Sequence, residues 1–379
     1  MSKESKSPYL PATTQKHKGL SRTLSIVVLA AFAVFLYMAN SGKILGSYEL
    51  RIIRLCGVYA IAALSMNLVN GFTGQFSLGQ AGFMAIGAYV TSLFIIPTAQ
   101  KTAMYYVEPI APWVESLQAP FIVALIIGGL VAALAAFLIG FPVLRLRGDY
   151  LAIATLGFSE IIRIFITNMI PITNGSLGLK NIPDTANVWW TTIAVAIVVI
   201  FMLRLMKTSY GRSFKAIRDD DVAAEAMGIS LFRHKMLSFV IGGFLAGISG
   251  GLLASVVGAI TPIYFRFTLA YEILLIVVLG GQGSITGSVV GACILTVARE
   301  WLRFMDNGFS IGPLTVPPIA GMRMLVFSIL LMIIILFYRR GLFGSNEFSW
   351  AGLLRVIKSI PQGIKRLFTR KAKAEGGGS

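Results

Sequence analysis

The sequence predicts an all-α, polytopic membrane protein, and three observations carry that prediction. Hydrophobic residues supply 56% of the 379-residue chain and charged residues only 13%, with a mean hydropathy of +0.78. A soluble domain carries about a quarter charged residues. The apolar residues gather into about nine runs, most of them close to the roughly 20 residues that cross ~30 Å of hydrocarbon as a helix. The remaining charge is basic and collects between those runs, at the edges of the membrane. A membrane barrel would show alternating segments of about ten residues, and these are absent. The count places the protein at eight to ten transmembrane helices.

In chain order the runs are 24–39, 55–69, 76–96, 120–140, 150–170, 188–206, 236–258, 271–298 and 320–338. The first lacks a small-x-small cleavage site, because Leu36-Tyr-Met-Ala39 precedes Asn40, and reads as an uncleaved span. Lys and Arg outnumber acids five to one in tail 1–22, seven to four in loop 204–235, and nine to two in tail 339–379. Loops 97–118 and 171–187 together hold two basic residues and three acids. The positive-inside rule therefore puts both tails and the 204–235 loop in the cytoplasm. The chain divides into a basic tail (1–22), a membrane domain (23–340) enclosing the polar loop 208–235, and a second basic tail (341–379). The last five residues, Glu375-Gly-Gly-Gly-Ser379, read as an appended scar.

Counting spans from the inside leaves 271–298 entering and finishing on the outer side. Gly280-Gly-Gln-Gly-Ser284 lies at its centre, so a glycine-broken or re-entrant hairpin is expected there. The alternative is a plain span kinked at glycine, with an early span misassigned. A second interruption is Asn70-Gly-Phe-Thr-Gly-Gln-Phe-Ser-Leu-Gly-Gln-Ala-Gly82. Paired glycine-interrupted segments in the two halves of a chain point to a transport pathway. The pathway candidates are Thr73, Gly74, Gln75, Ser77, Gly79, Gly281, Gln282, Gly283 and Ser284. Close helix packing is the competing use of such glycines. Gly243, Gly247 and Gly251, shadowed by Gly242, Ala246, Gly250 and Ala254, read as a helix–helix seam.

Ionisable residues within spans are functional candidates by default. Glu160 and Arg163 stand three apart and pair on one helix face, as a structural clamp or a transport element. Arg54 and Glu272 are placed at the interfaces, where long side chains snorkel. Cys56 and Cys293 fall in spans as small hydrophobes. His17 and His234 lie in separate polar loops, so no metal-ligand cluster forms. No phosphate loop G-x-x-x-x-G-K-[ST] occurs, and neither a catalytic triad nor a Cys/His pair can be assembled. An enzyme and a nucleic-acid binder are both disfavoured. Asn174-Gly-Ser176 matches a glycosylation sequon, a match common by chance.

The polar island 208–235 reads as two short helices joined by an acidic turn. Ser213–Arg218 forms the first, Asp219, Asp220 and Asp221 open the second, where carboxylates suit the helix dipole, and Gly228 ends it. Ala223, Ala224, Ala226 and Met227 give it an apolar face suited to a groove on a soluble partner. An elbow lying on lipid headgroups is the alternative.

These stretches resemble a known family. Gly211-Arg-Ser-Phe-Lys-Ala-Ile-Arg218, with Ala223-Ala224 and Gly228-Ile229, is similar to the ATPase-coupling loop of high-affinity branched-chain amino acid ABC permeases, in particular those of the LivM type. Gly74-Gln-Phe-Ser-Leu-Gly79, Arg147-Gly-Asp-Tyr-Leu-Ala-Ile-Ala-Thr-Leu-Gly-Phe158 with Glu160, Gly280-Gly-Gln-Gly-Ser-Ile285 and Tyr338-Arg-Arg-Gly-Leu-Phe343 resemble its other signature stretches, in order over roughly 50–345. Many relatives carry Arg-Pro where this chain has Arg339-Arg340.

The resemblance implies a coupling set of Gly211, Arg212, Ala216, Arg218, Asp221, Ala223, Ala224, Met227 and Gly228. It adds Thr155 and Glu160 to the pathway candidates. It implies a second homologous permease subunit, two ATP-binding subunits that use ATP and Mg2+, an extracytoplasmic substrate-binding protein, and a bacterial inner-membrane location. No cofactor is expected in this chain. The implied cargo is Leu, Ile or Val, with urea or short amides as the alternative within the wider family. The competing class is a secondary transporter working alone, with Glu160 and Arg163 in ion coupling.

Overall fold

The computed structural model describes residues 46–303 apart from 107 and 147, and then 309–311, 314–316, 325–326, 328–329, 332, 341–342 and 344. The expected first span, nearly all of both tails and most of 320–338 lie outside the described residues, as does Arg147.

The described chain is helical, as its composition requires. Helix α1 (Ser47–Asn67) continues into a π turn at Leu68–Phe72, and an irregular segment leads to α2 (Gln80–Ile95). Short α3 (Thr98–Met104) and α4 (Pro112–Glu115) precede α5 (Phe121–Val143) and α6 (Asp149–Asn168). After α7 (Ile170–Thr173) come α8 (Val188–Leu205), the elbow helices α9 (Ser209–Asp219) and α10 (Asp221–Ala226), and the long α11 (Leu231–Val257). Helices α12 (Phe267–Gly280) and α13 (Ile285–Trp301) follow. A small antiparallel hairpin, β1 (Phe309–Ile311) with β2 (Leu314–Val316), pairs Phe309 with Val316; helical periodicity gave no hint of it.

Among the described residues five helices are long and apolar enough to cross a membrane: Ser47–Phe72, Phe121–Val143, Asp149–Asn168, Val188–Leu205 and Leu231–Val257. A sixth span is available if α2 and α3 count together, although they bend by 118° at Pro97. The run 76–96 is thus shorter as a helix than its hydropathy predicts. Residues 73–79 are spent on irregular backbone, and Pro97 turns the chain at the other end. Leu134, Leu138, Ile153, Phe165 and Ile197 on α5, α6 and α8 are exposed, as lipid-facing side chains must be.

The centre is α2 packed between α5 and α11. Hydrocarbon gives no hydrophobic drive for helices to associate, so tight backbone approach does much of the work. The glycine stripe of α11 provides it within one subunit. A Cβ on Gly250 would lie 2.0 Å from the Met84 carbonyl oxygen, and one on Gly87 would lie 2.1 Å from that of Gly247. Gly243 and Gly247 take Ala136 and Ala132 of α5 in the same way.

The 271–298 run divides at its glycines. Helix α12 spans 14 residues, roughly 21 Å, short of a full ~30 Å crossing. The chain turns through Gly281 (φ +114°) and Gly283 (φ +84°), and α13 returns antiparallel, with Gly280 against Gly287 and Gly291 against Ile276. Leu342 N–H donates to Leu279 O at 2.8 Å, which brings the Gly341–Gly344 region to this turn.

Three lone polar groups find structural uses. Lys101, 1% exposed, donates to the carbonyls of Val114 (3.2 Å) and Leu117 (2.5 Å). Arg54 pairs with Asp184 at 2.5 Å. Asn174 sits buried in a left-handed turn (φ 60°) and donates to Gly178 O, so the sequon is not presented to solvent. Both cysteines are free, and Cys56 Sγ lies 4.0 Å from the Cys293 carbonyl oxygen.

The seam yields a paired expectation. Gly250→Ala forces α2 and α11 apart and lowers stability by about 1–3 kcal/mol. Gly157→Ala, with nothing within 4 Å of its added Cβ, is neutral or gains up to ~1 kcal/mol from helix propensity. Thermal melting of the two variants in detergent checks both; equal melting temperatures would dismiss the close-packing account.

Candidate functional site

The two glycine breaks meet at one end of the helices, and the polar elbow sits against them. A single buried side chain joins the breaks. Asn67, fully buried at the end of α1, donates through Nδ2 to Ser284 O (2.8 Å) and Ser288 Oγ (2.7 Å). Its Oδ1 accepts from Gly283 N–H at 2.8 Å. Gly71 leaves room for that bond, since a Cβ there would fall 1.8 Å from Asn67 Oδ1 and 2.5 Å from Gly283 N. Backbone freed from helical pairing must find partners inside the protein when no water is at hand, and one primary amide serves two backbone groups and a hydroxyl. Ser284 then caps α13, its Oγ accepting from Gly287 N–H at 3.0 Å.

Side chains also hold the backbone of the first break. Asn70 closes a ring with Ser77, donating to its carbonyl and accepting from its N–H, both at 3.1 Å. Thr73 Oγ1 donates to Leu68 O at 2.9 Å. Gln75 Nε2 donates to Ser238 Oγ (2.9 Å) and Lys235 O (3.2 Å) on α11, while its buried Oε1 has no partner. Thr155 of α6 accepts from Leu78 N–H at 3.0 Å and donates to Ala152 O, which brings α6 to the same junction.

The elbow reaches the junction through Arg218. Its Nη1 donates to Gly71 O at 3.4 Å, and Asp219 holds the rest of the guanidinium at 2.8 and 3.0 Å. Gly74 (φ +73°) lets the backbone of Arg218 approach, since a Cβ there would meet its Cα at 3.0 Å. Gly283 faces the same guanidinium. One side chain on α9 therefore touches both breaks. A cavity of about 480 Å³ opens here, lined by Asn70, Gly71, Gly74, Phe76, Arg218 and Gln282.

The elbow helices differ from the expected ones in detail. Helix α9 begins at Ser209, capped by Thr208 Oγ1 accepting from Gly211 N–H, and buries Phe214 and Ile217. Gly211 is needed because a Cβ would strike Leu205 O at 2.5 Å. Of the three aspartates, Asp219 ends α9, Asp220 caps α10 through Ala223 N–H at 3.0 Å, and Asp221 pairs with Lys235 at 3.5 Å. Ala224 is buried and cannot belong to an outward face. Val222, Ala223, Ala226 and Met227, the last 83% exposed, form that face instead. Ala216 is half-buried, Arg212 is exposed and bonded to Ser209, and Gly228 ends α10 at φ +83°.

Most of the sequence-chosen pathway residues converge here: Thr73, Gly74, Gln75, Ser77, Gly79, Thr155, Gly281, Gln282, Gly283 and Ser284. Glu160 does not join them. It pairs with Arg163 through Nε–Oε1 (2.7 Å) on α6. Asn67, Ser238 and Ser288 were missed. A lone amide inside the apolar run 55–69 was the available signal for Asn67.

The chain matches the family model described as branched-chain amino acid transport system / permease component over residues 48–336. It is 34% identical over 331 residues to the high-affinity branched-chain amino acid transport system permease protein LivM of Escherichia coli K12, covering 78% of this chain and 71% of that protein. The Salmonella typhimurium LivM is 33% identical with the same coverage. The LivH permease protein of Salmonella typhimurium is 29% identical over 287 residues, 71% of this chain and 86% of that protein. No solved structure matches the chain.

Replacing Asn67 with Leu keeps the volume and removes all three bonds, leaving Gly283 N–H unpaired. The expected loss is about 1–3 kcal/mol, with faster hydrogen exchange confined to 281–288. Exchange unchanged in that segment would show that the amide does not hold the breaks together.

Proposed function

We propose that this chain, which belongs to the branched-chain amino acid transport permease family, is the membrane-spanning subunit of an ABC importer that moves Leu, Ile and Val inward. It is a transport subunit and not an enzyme. Its work is driven by ATP and Mg2+ in two partner subunits, and an extracytoplasmic binding protein delivers the cargo. Likeness to both LivM and LivH supports pairing with a second, homologous permease subunit. The full chain has about nine hydrophobic segments, with 24–39 and 320–338 added to the helices described above; α12 and α13 act as a re-entrant hairpin, and the even number of crossings that remains keeps both termini in the cytoplasm of a bacterial inner membrane.

The observation that carries this reading is the reach of Arg218 from the elbow to both glycine breaks. The exposed face of α10 (Val222, Ala223, Met227) docks on an ATP-binding subunit. When that subunit moves, α9 moves with α10, because Asp220 caps one helix where the other ends. Arg218 then shifts against Gly71 and Gly283, the two segments best placed to gate the inner end of a pathway. Irregular backbone at such a place can rearrange with few helical bonds to break.

In proteoliposomes holding the whole complex, Ala223→Glu with Met227→Glu abolishes docking and reduces ATP-driven leucine uptake by at least about tenfold, since a charge is buried in an apolar contact. Arg218→Ala keeps the ATP-binding subunits bound but lowers leucine moved per ATP. Uptake at wild-type level in both variants would mean that the elbow does not couple.

A further inference from the structure

The same three elements that build the Asn67 junction enclose a charged cavity toward their other ends. Glu272 on α12 and Arg299 on α13 form an ion pair, with Tyr59 of α1 beside the guanidinium. Tyr59 precedes Asn67 by eight residues and Glu272 precedes Gly280 by eight. At 1.5 Å per residue the cluster therefore stands roughly 12 Å along the helices from the junction. Two adjoining cavities, about 50 and 270 Å³, share Leu55, Tyr59, Glu272, Arg299 and Glu300. Together they just reach the ~300 Å³ at which small-ligand sites begin.

Charge in a span is expensive, and a pair serving only to fix two helices would be expected to sit sealed between them. This one is open: the side chains of Arg299 and Glu272 are 39% and 34% exposed. Glu300 is held from the outer side, accepting from Tyr48 Oη at 2.9 Å. The larger cavity is also lined by Leu253, Val257, Ile263 and Leu269. Two carboxylates (Glu272 and Glu300), two guanidiniums (Arg51 and Arg299) and the Tyr59 phenol therefore share with aliphatic side chains a space the size of a small molecule.

We propose that this cavity is a binding site for an aliphatic zwitterion, the translocated amino acid itself. The α-ammonium is held by the Glu272 carboxylate and the α-carboxylate by the Arg299 guanidinium, whose pair with Glu272 engages Nη1 out of five N–H donors. The branched side chain lies on Leu253, Ile263 and Leu269. Each charge of the cargo meets its opposite, so a zwitterion replaces the ion pair without leaving an unpaired charge. The Asn67 junction lies roughly 12 Å further along the same helices, and Arg218 connects that junction to the elbow. The inference rests on the cargo class proposed above and adds the residues that recognise it.

The test uses the complete transporter in proteoliposomes with its binding protein, ATP and labelled leucine or valine. Glu272→Gln and Arg299→Gln each reduce leucine uptake roughly 10- to 100-fold, the loss expected for a charged hydrogen bond, while the complex assembles and melts as wild type. Ile263→Trp, at a residue 59% exposed, narrows the aliphatic side and lowers leucine uptake about tenfold more than valine uptake. A purely structural ion pair would not alter that ratio. Wild-type uptake in the two charge variants with an unchanged leucine-to-valine ratio in Ile263→Trp overturns the site and leaves the cargo class standing. A wild-type complex that moves neither amino acid overturns the cargo class and the site with it. If the charge variants fail to assemble, the ratio in Ile263→Trp decides alone.

Discussion

Backbone that leaves a helix inside a bilayer must find every hydrogen-bond partner within the protein, because hydrocarbon supplies none. Two segments here leave their helices, 68–79 and 281–284, and the architecture is arranged around satisfying them. Asn67 is the pivot. Its one amide serves the N–H of Gly283, the carbonyl of Ser284 and the hydroxyl of Ser288, and only glycine at 71 leaves space for it. Asn70, Thr73, Gln75 and Thr155 complete the task for the first segment. The result ties α1, α6, α11 and the α12–α13 hairpin to one small polar centre.

Under the proposed coupling, that centre is also where force enters. An elbow resting on a continuous helix would push a rigid rod. This elbow presents Arg218 to two segments where regular α-helical pairing is interrupted, one at a π turn and one at a glycine turn. The guanidinium makes a long bond to Gly71 and a tight ion pair with Asp219 within its own helix. Its hold on the break is thus weaker than its hold on the elbow, which suits the make-and-release contact that the proposed coupling requires. The glycine seam between α2, α5 and α11 does the opposite. Backbone approach with no side chains between leaves little freedom, so these three helices form a tightly packed body.

Much of this was legible in the residues themselves. Hydropathy and charge placed the helices and the elbow. The parity of the spans required 271–298 to fold back, and glycine supplied the point of division. The two interrupted segments were found because glycine and polar side chains are conspicuous in apolar runs. Their meeting across more than 200 residues was not visible, nor was the amide that joins them. Ala224 was assigned to the wrong face, because a six-residue helix offers too few turns to fix its phase. Arg299 escaped attention at the end of an apolar run, where a cation ordinarily snorkels; only its partner on α12 shows that it faces a cavity.

The division has a physical reason. Local sequence sets what depends on a residue and its near neighbours: transfer into hydrocarbon, helix propensity, capping at Thr208, Asp220 and Ser284, and the side on which Lys and Arg remain. Those terms determined a polytopic helical protein with a polar elbow and two breaks. The tertiary structure decided which groups share a space, because that depends on the packing of distant helices. It set Asn67 between the breaks, Arg218 upon them, and Glu272 opposite Arg299. The glycines belong to both accounts: their positions are plain in the chain, but only the packed helices show which other backbone each of them admits.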